Sequence, residues 1–314
     1  MFCWSLARFA KVRREFNNVD APWMWFSVTT ALVYMLTASV FFALSGVAVH
    51  GLGSGGWDIA LLSRALFGLP FAIFIFLSGP KAECHWNSFA ILLRSTSAVI
   101  FLAMLYFILE FYSPGESFTL ASMRPLWVAG LSMAFGLGSV RFVFWPLSLI
   151  GIVGIALMEG SRISAGLGFV MLALIIGFLG GLSTLAIDYC RGQSASFMTL
   201  HLTMTMLIIA VVSVVINGHV EDIPVLMQSK RDLFLYSVAG LGGTVYQIFS
   251  VLTVKRVGSI AGSVIALMSA LFAWMLGHLI WNVPSNALSV LGILLALSPC
   301  VYMVLGGSLT RKTS

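Results

Sequence analysis

The sequence predicts an all-α integral membrane protein of ten transmembrane helices, arranged as two inverted five-helix repeats. Three observations lead to this fold class: the composition, the succession of apolar segments and the distribution of charge among the loops. Hydrophobic residues make up 60% of the 314 residues and charged residues only 9%, whereas soluble domains carry about 25% charged residues. The mean hydropathy is +1.02, so lipid is the expected solvent for most of the chain.

The lipid environment selects the secondary structure of the apolar segments. A bilayer core offers no hydrogen-bond partner, so each spanning segment must pair its own N–H and C=O groups, as an α-helix does. The apolar runs are long enough to cross a hydrocarbon layer of about 30 Å. The ten predicted spans, numbered in chain order, are Val28–Ala48, Ile59–Leu77, Phe89–Phe111, Phe118–Leu137, Val143–Met158, Gly166–Ile187, Phe197–Ile216, Leu233–Val254, Ile260–Ile280 and Leu288–Leu305.

The loop charges predict the orientation in the membrane. Short cytoplasmic loops are enriched in Lys and Arg, and placing both termini in the cytoplasm puts eleven such residues on that side and three on the other. The eleven are Arg8, Lys11, Arg13, Arg14, Lys81, Arg141, Arg191, Lys255, Arg256, Arg311 and Lys312. The three are Arg162, Lys230 and Arg231. We therefore expect an inner or plasma membrane protein with both termini cytoplasmic, and the net charge of +6 needs no nucleic-acid partner.

The ten spans divide evenly into two units of five. Gly136 and Gly151 recur at an offset of 141 as Gly277 and Gly292. Because each unit has an odd number of spans, the second unit begins on the opposite side of the membrane, and such inverted repeats hold their binding site near the midplane. The predicted segments are a cytoplasmic tail at 1–22, a first repeat at 23–160, a second repeat at 161–306 and a cytoplasmic tail at 307–314.

Several features together resemble the EamA-type branch of the drug/metabolite transporter superfamily. They are Arg64 within LLSRALFGL, the LLR at Leu92–Arg94, the immediate turn between spans 3 and 4, and Pro125. The resemblance covers all ten spans and implies a basket of two inverted repeats that moves metabolites by alternating access, with spans 1, 3, 4, 6, 8 and 9 around a central cavity. Within that branch the chain is similar to the S-adenosylmethionine-uptake-like members. It departs where the family often ends spans 4 and 9 with Gly-Glu, since Gly138-Ser139 and Gly277-His278 stand here.

Ionisable residues inside the spans are candidates for function, because a charge at the centre of a membrane helix costs about 3 kcal/mol on some insertion scales. Arg124 directly precedes Pro125, which is expected to kink the helix. Two roles stay open for Arg124: it can anchor a carboxylate or phosphate, or pair with Glu110 near the outer end of span 3. Arg64 is interpreted as a gating or ion-pair partner of Glu110, or as a side chain that extends to the interface. Arg94 is interpreted as a snorkelling or helix-packing residue.

The predicted substrate-binding residues are Tyr106, Arg124, Tyr246, Gln247 and Ser269. Aromatic rings with a few amide and hydroxyl groups are typical of a metabolite pocket. For Ser269, hydrogen bonding between helices is the favoured alternative. Tyr246 and Gln247 are adjacent in one helix and point about 100° apart, so one of the two is expected to face the cavity.

These residues favour a secondary transporter for a small organic metabolite, such as an amino acid or nucleoside derivative, that carries an anionic group. An S-adenosylmethionine or nucleotide-type uptake or exchange carrier is the alternative, and an intramembrane enzyme is the least favoured class. The five histidines lie in separate segments and no P-loop occurs, so we expect no enzyme activity, no metal and no cofactor. The expected partners are the metabolite and the lipid bilayer, with no nucleic acid, and the protein is expected to be a monomer or homodimer.

Overall fold

The structure is a computed structural model, and the part of the chain that it describes is helical. It describes residues 21–52, 56–79, 84–86, 88–136, 140–159, 167–190, 192–221, 229–281 and 287–304. Across these ranges no β-strand occurs, which confirms the all-α class. The tails at 1–20 and 307–314 and the Gly138-Ser139 pair, on which predictions were made, lie outside the described residues.

Every predicted span contains at least one described helical segment. The helices are α1 (Ala21–Gly51), α2 (Trp57–Ser78), α3 (Phe89–Leu109), α4 (Pro114–Ala121), α5 (Arg124–Ala134), α6 (Phe144–Glu159), α7 (Leu167–Tyr189), α8 (Ala195–Asn217), α9 (Lys230–Ile265), α10 (Met268–Trp281) and α11 (Ala287–Val304). The correspondence differs from one helix per span at the interruptions of spans 4 and 9. Span 4 is divided between α4 and α5. α9 consists of two helical segments that meet at a kink at Gly258, and its second segment together with α10 makes up span 9.

Six helical segments in the described ranges have the length and apolar composition to cross a membrane. They are Thr29–Gly51, Trp57–Ser78, Phe89–Leu109, Met171–Tyr189, Ala195–Asn217 and Lys230–Ile265, with mean hydropathies between 1.5 and 2.3. Phe144–Leu157 and Met268–Trp281 are shorter apolar helices. The chain is therefore a helical membrane protein, while the full set of ten crossings and the side on which the termini lie stay predictions.

The fourth span is interrupted in its first half. α4 begins with a capping box: the Ser113 hydroxyl accepts from the Glu116 N–H at 3.3 Å, and the Glu116 carboxylate accepts from the Ser113 N–H at 2.9 Å. α4 ends at Ala121, and α5 begins at Arg124. Pro125 lies in the first turn of α5, where its missing N–H leaves no helical bond unmade. The predicted kink is thus a break at 122–123 that leaves Arg124 at the start of a new helix.

α9 bends at Gly258, whose φ of 83° and ψ of 164° are accessible to glycine and strained for other residues. Asp188, near the end of α7, accepts a hydrogen bond at 3.3 Å from the Ser259 N–H, so it caps the helical segment that follows the bend. A second interruption at 266–267 separates Ile265 from Met268. The predicted spans 4 and 9 are therefore both broken in their first half.

The helices pack in pairs around a shared core. α1 packs along α9 and α3 along α7, while α2 packs on α8 and α6 on α11. α5 contacts α7, α10 contacts α1, and α4 contacts α10. α2 and α9 approach closely: a Cβ on Gly240 would lie 2.5 Å from the Phe67 Cβ, and a Cβ on Gly68 would lie 2.4 Å from the Thr244 hydroxyl. Small residues permit this approach, as is common in membrane bundles.

Candidate substrate-binding site

Arg124, the first residue of α5, is directed into the bundle and is only 7% exposed. Its Nη1 donates a hydrogen bond to the Tyr246 hydroxyl at 3.1 Å, and its Cζ lies 4.8 Å from the centre of the Phe101 ring. Its Nε is buried without a hydrogen-bond partner among the described residues. Gly180 of α7 leaves room for the guanidinium, because a Cβ there would lie 3.0 Å from Nε. A phenol and a ring face hold this cation, and no described carboxylate does.

Tyr246 is fixed in place by an aromatic stack that joins three helices. Its ring lies parallel to that of Phe42, with a centroid separation of 4.1 Å and an angle of 10°. The Phe42 ring in turn meets the edge of Phe118 at 4.8 Å. Aromatic pairs of this kind each contribute about 0.5 to 1.5 kcal/mol beyond their buried area. The stack therefore holds the Tyr246 hydroxyl in position for Arg124.

Arg64 of α2 lies in a second cluster, in which no buried nitrogen of its side chain lacks a hydrogen-bond partner among the described residues. It is 2% exposed, so the interpretation that it extends to the interface is wrong. Nη1 donates to the Tyr106 hydroxyl at 2.7 Å, and Nη2 donates to the Gly243 carbonyl at 3.2 Å. The Tyr106 hydroxyl also lies 3.3 Å from the hydroxyl of Ser45, which donates to the Ala239 carbonyl at 2.9 Å. These bonds tie α2, α3, α1 and α9 together.

Neither arginine contacts Glu110 in this conformation. Glu110 directly follows α3 and lines a small pocket together with Trp57 and Tyr236. Its Oε1 is buried and has no hydrogen-bond partner among the described residues. The predicted pairing of Glu110 with Arg124 or Arg64 is therefore not made here, and it stays a prediction for another conformation.

The nearby Asp58 lies in a buried hydrogen-bond cluster that the sequence analysis did not predict. Its carboxylate is fully buried and accepts hydrogen bonds from Asn217 Nδ2 and from the Ile59 N–H, each at 2.9 Å. The His219 Nδ1 lies 2.9 Å from the same carboxylate. This cluster connects the start of α2 with the end of α8. Its partners lie about 160 residues away in the sequence, so no local pattern indicates it.

Ser269 and Gln247, the remaining predicted binding residues, are both 8% exposed. Ser269 lines a pocket beside Arg124 and Pro125, and its hydroxyl donates to the Ala266 carbonyl at 2.7 Å. Gln247 does not line that pocket. The pocket has room for about one water molecule, which is too little for a metabolite in this conformation. The structure thus brings Arg124, Tyr246 and Ser269 together and places Tyr106 with Arg64 instead.

Arg94 requires a correction, because it is fully buried rather than extended to the interface. Its Nη1 donates to the Met198 carbonyl of α8 at 2.7 Å, and the Ser183 hydroxyl of α7 donates to the Arg94 carbonyl at 3.2 Å. Its Nε and Nη2 are buried without partners in the described part of the chain. The helix-packing interpretation accounts for one donor of this guanidinium. The position of Arg94 near the end of an apolar span suggested snorkelling, but packing between the helices buries its side chain.

The described residues bring no three His, Cys, Asp or Glu side chains close enough to hold a metal ion. His201 is instead engaged with Ser95, whose hydroxyl lies 2.8 Å from Nδ1. What the site offers chemically is positive charge, hydroxyl groups and aromatic surface. Such a set can bind an oxyanion joined to an apolar or aromatic part.

Comparisons with known proteins bear on the fold alone. No family model matches the chain, and no curated protein matches it. Among solved structures, 28 chains match. One, described only as the crystal structure of a protein, is 12% identical, aligns with a TM-score of 0.69 and covers 88% of this chain and 99% of that chain. Fold and site together define a helical membrane protein with arginines buried between its helices.

Proposed function

We propose that this chain is a secondary transporter that moves a small organic metabolite with an anionic group across the inner or plasma membrane by alternating access. The observation that carries the proposal is Arg124, a buried guanidinium with an unpartnered Nε beside a pocket and no carboxylate in contact. Buried charges in membrane proteins are costly and are normally paired. A carboxylate or phosphate of the cargo supplies the missing counter-charge.

The two inverted repeats are part of this proposal, and the pattern of helix contacts supports them. If α1 to α6 form one repeat and α7 to α11 the other, the pair α1–α9 has α3–α7 as its counterpart, and α10–α1 has α5–α7. The pairs α2–α8 and α6–α11 join equivalent helices. The breaks at 122–123 and 266–267 fall in equivalent spans. A two-fold relation in the membrane plane accounts for all of these features.

The broken helices fit a binding site between the repeats. Interrupted helices in inverted-repeat transporters place free helix termini at the substrate near the midplane. Arg124 starts one of the helices that follow a break, and Ser269 lies at the start of the other. Both residues line the same pocket. A cargo held there contacts both repeats, as alternating access requires.

The chemistry around Arg124 defines the cargo class. The Phe101 and Tyr246 rings offer apolar surface next to the guanidinium, which suits an amino acid or a nucleoside derivative. An S-adenosylmethionine or nucleotide-type carrier is the narrower alternative, based on the sequence resemblance alone. Charge steers the anionic group to Arg124, and the rings pack against the remainder of the molecule.

A ligand screen followed by a flux assay tests this function. Purified protein is screened by thermal shift against amino acids, nucleosides, S-adenosylmethionine and sugar phosphates. Compounds that raise the melting temperature are then tested for counterflow in proteoliposomes, with protein-free liposomes as the control. We expect at least one anionic metabolite to exchange. Stabilisation without counterflow, or exchange of bare cations only, would contradict the proposal.

A further inference from the structure

Arg94 has a charge that its surroundings leave unmet. One of its nitrogens bonds to the Met198 carbonyl, while Nε and Nη2 are buried with no partner in the described residues. The hydrogen bond that links α3 to α8 uses only the Nη1 of Arg94. The two unused donors are the N–H groups that point in parallel from one edge of a guanidinium, and this edge binds a carboxylate or phosphate in bidentate fashion.

Arg94 lies on the same seam of the bundle as Arg124. Phe101, the ring that faces Arg124, follows Arg94 by seven residues on α3, so it lies on the same helix face about 10 Å away. On α7, Gly180 makes room for Arg124 and Ser183 bonds to the Arg94 carbonyl. The same two helices, α3 and α7, therefore run past both arginines.

Tyr246 joins this seam through Arg124, because its hydroxyl accepts the hydrogen bond from Arg124. Arg64 is engaged elsewhere, since it donates to the Tyr106 hydroxyl and the Gly243 carbonyl. Arg94 and Arg124, each with a buried donor that has no partner among the described residues, thus lie at successive positions along α3.

We propose that Arg94 is a second oxyanion site, to which the carboxylate or phosphate of the cargo passes from Arg124 on its way to the predicted cytoplasmic side, or from which it starts in the opposite direction. This inference rests on the proposed function. In the closed conformation the Met198 carbonyl and the surrounding helices fill the space around Arg94. When the bundle opens on this side, the oxyanion binds across Nε and Nη2.

Site-resolved labelling with phenylglyoxal, which modifies accessible guanidinium groups, tests the proposal on the full chain. Membrane vesicles of both orientations are treated with the reagent in chloride, acetate or inorganic phosphate at equal ionic strength, and mass spectrometry follows each arginine. We expect Arg94 to react with the predicted cytoplasmic face outward, about tenfold more slowly in phosphate or acetate than in chloride. Protection by phosphate alone assigns a phosphate group, and protection by acetate assigns a carboxylate.

Arg231 is the matched control, because it is exposed and bonds only to the Gly51 carbonyl among the described residues. Its labelling is expected to be independent of the anion. Absence of Arg94 labelling in both orientations, or equal rates in the three anions, would overturn the second site. Counterflow in the unlabelled protein decides the proposed function separately, so a transporter whose Arg94 is unreactive refutes this inference alone.

Discussion

Arg64 and Arg124 are both buried beside a tyrosine, and they differ in whether a buried guanidinium nitrogen lacks a hydrogen-bond partner. Each donates to the hydroxyl of a buried tyrosine, Tyr106 in one case and Tyr246 in the other. Arg64 also donates to the Gly243 carbonyl and has no buried nitrogen without a partner. Arg124 faces a ring and a pocket and keeps a bare Nε.

The difference separates a charge that holds helices together from a charge that is available to a ligand. A guanidinium whose donors are all used has little to offer an incoming anion, since binding would have to break existing hydrogen bonds. A guanidinium with unused donors gains bonds when the anion arrives. Substitution of Arg124 should therefore weaken ligand binding, whereas substitution of Arg64 should lower stability.

The largest expected effect is on ligand binding by Arg124→Gln. Loss of one member of a desolvated charge pair costs about 2 to 4 kcal/mol, so the affinity for the transported metabolite should fall by roughly one and a half to three orders of magnitude. Titration calorimetry or a thermal-shift titration measures this loss. Arg231→Gln, at an exposed arginine, is the matched control and should bind normally. Unchanged affinity in a folded Arg124→Gln protein would make this arginine structural.

Arg64→Gln should reverse the pattern, with a loss of stability and little change in affinity. The Tyr106 hydroxyl and the Gly243 carbonyl would lose their donor, at about 1 to 3 kcal/mol for a buried group left unsatisfied. Thermal unfolding in detergent, followed by size exclusion, is the measurement. Weakened binding at unchanged stability would place Arg64 in the binding site and remove the contrast with Arg124.

Gly243→Ala probes the same cluster from the other side. The added Cβ would lie 2.4 Å from the Arg64 Cζ, so the guanidinium must move away from residue 243. We expect this displacement to destabilise the protein by about 2 kcal/mol. Gly130→Ala in α5 is the control, because no neighbouring atom lies within 4 Å of its Cβ position. Equal melting temperatures for the two variants would show that the Arg64 side chain can adopt another conformation without loss of stability.

The smallest effect is expected for Tyr246→Phe, which keeps the stacking on Phe42 and removes the hydroxyl. Arg124 would lose the hydrogen bond that orients it, worth about 1 kcal/mol, so the affinity should fall severalfold with a nearly unchanged melting temperature. Tyr106→Phe is the parallel variant and should lower stability instead. A similar response of both variants would show that the two tyrosines have the same role.

The sequence predicted what depends on local pattern. Apolar run length located the six described helical segments that are long and apolar enough to cross a membrane, and the Arg124-Pro125 pair marked the break in span 4 within two residues. The partners of the buried arginines were not predictable in this way. Arg64 bonds to Gly243, 179 residues away, and Arg94 bonds to Met198, 104 residues away, so only the packing of distant helices decides which donors are used. Snorkelling was one interpretation of Arg64 and Arg94 based on their depth, but packing against distant helices buries both side chains.

The kink of α9 at the single residue Gly258 has a mechanical consequence. Spans that are joined by a loop can shift against each other, because each loop residue contributes two adjustable backbone angles. α9 continues through the Gly258 bend without such a loop, and Asp188 holds the first N–H after the bend. The segment that ends at the pocket beside Ser269 is thus coupled to the segment that carries Tyr246. A displacement at one end of α9 is transmitted to the other end, because only the two backbone dihedral angles of Gly258 lie between the two segments to absorb it.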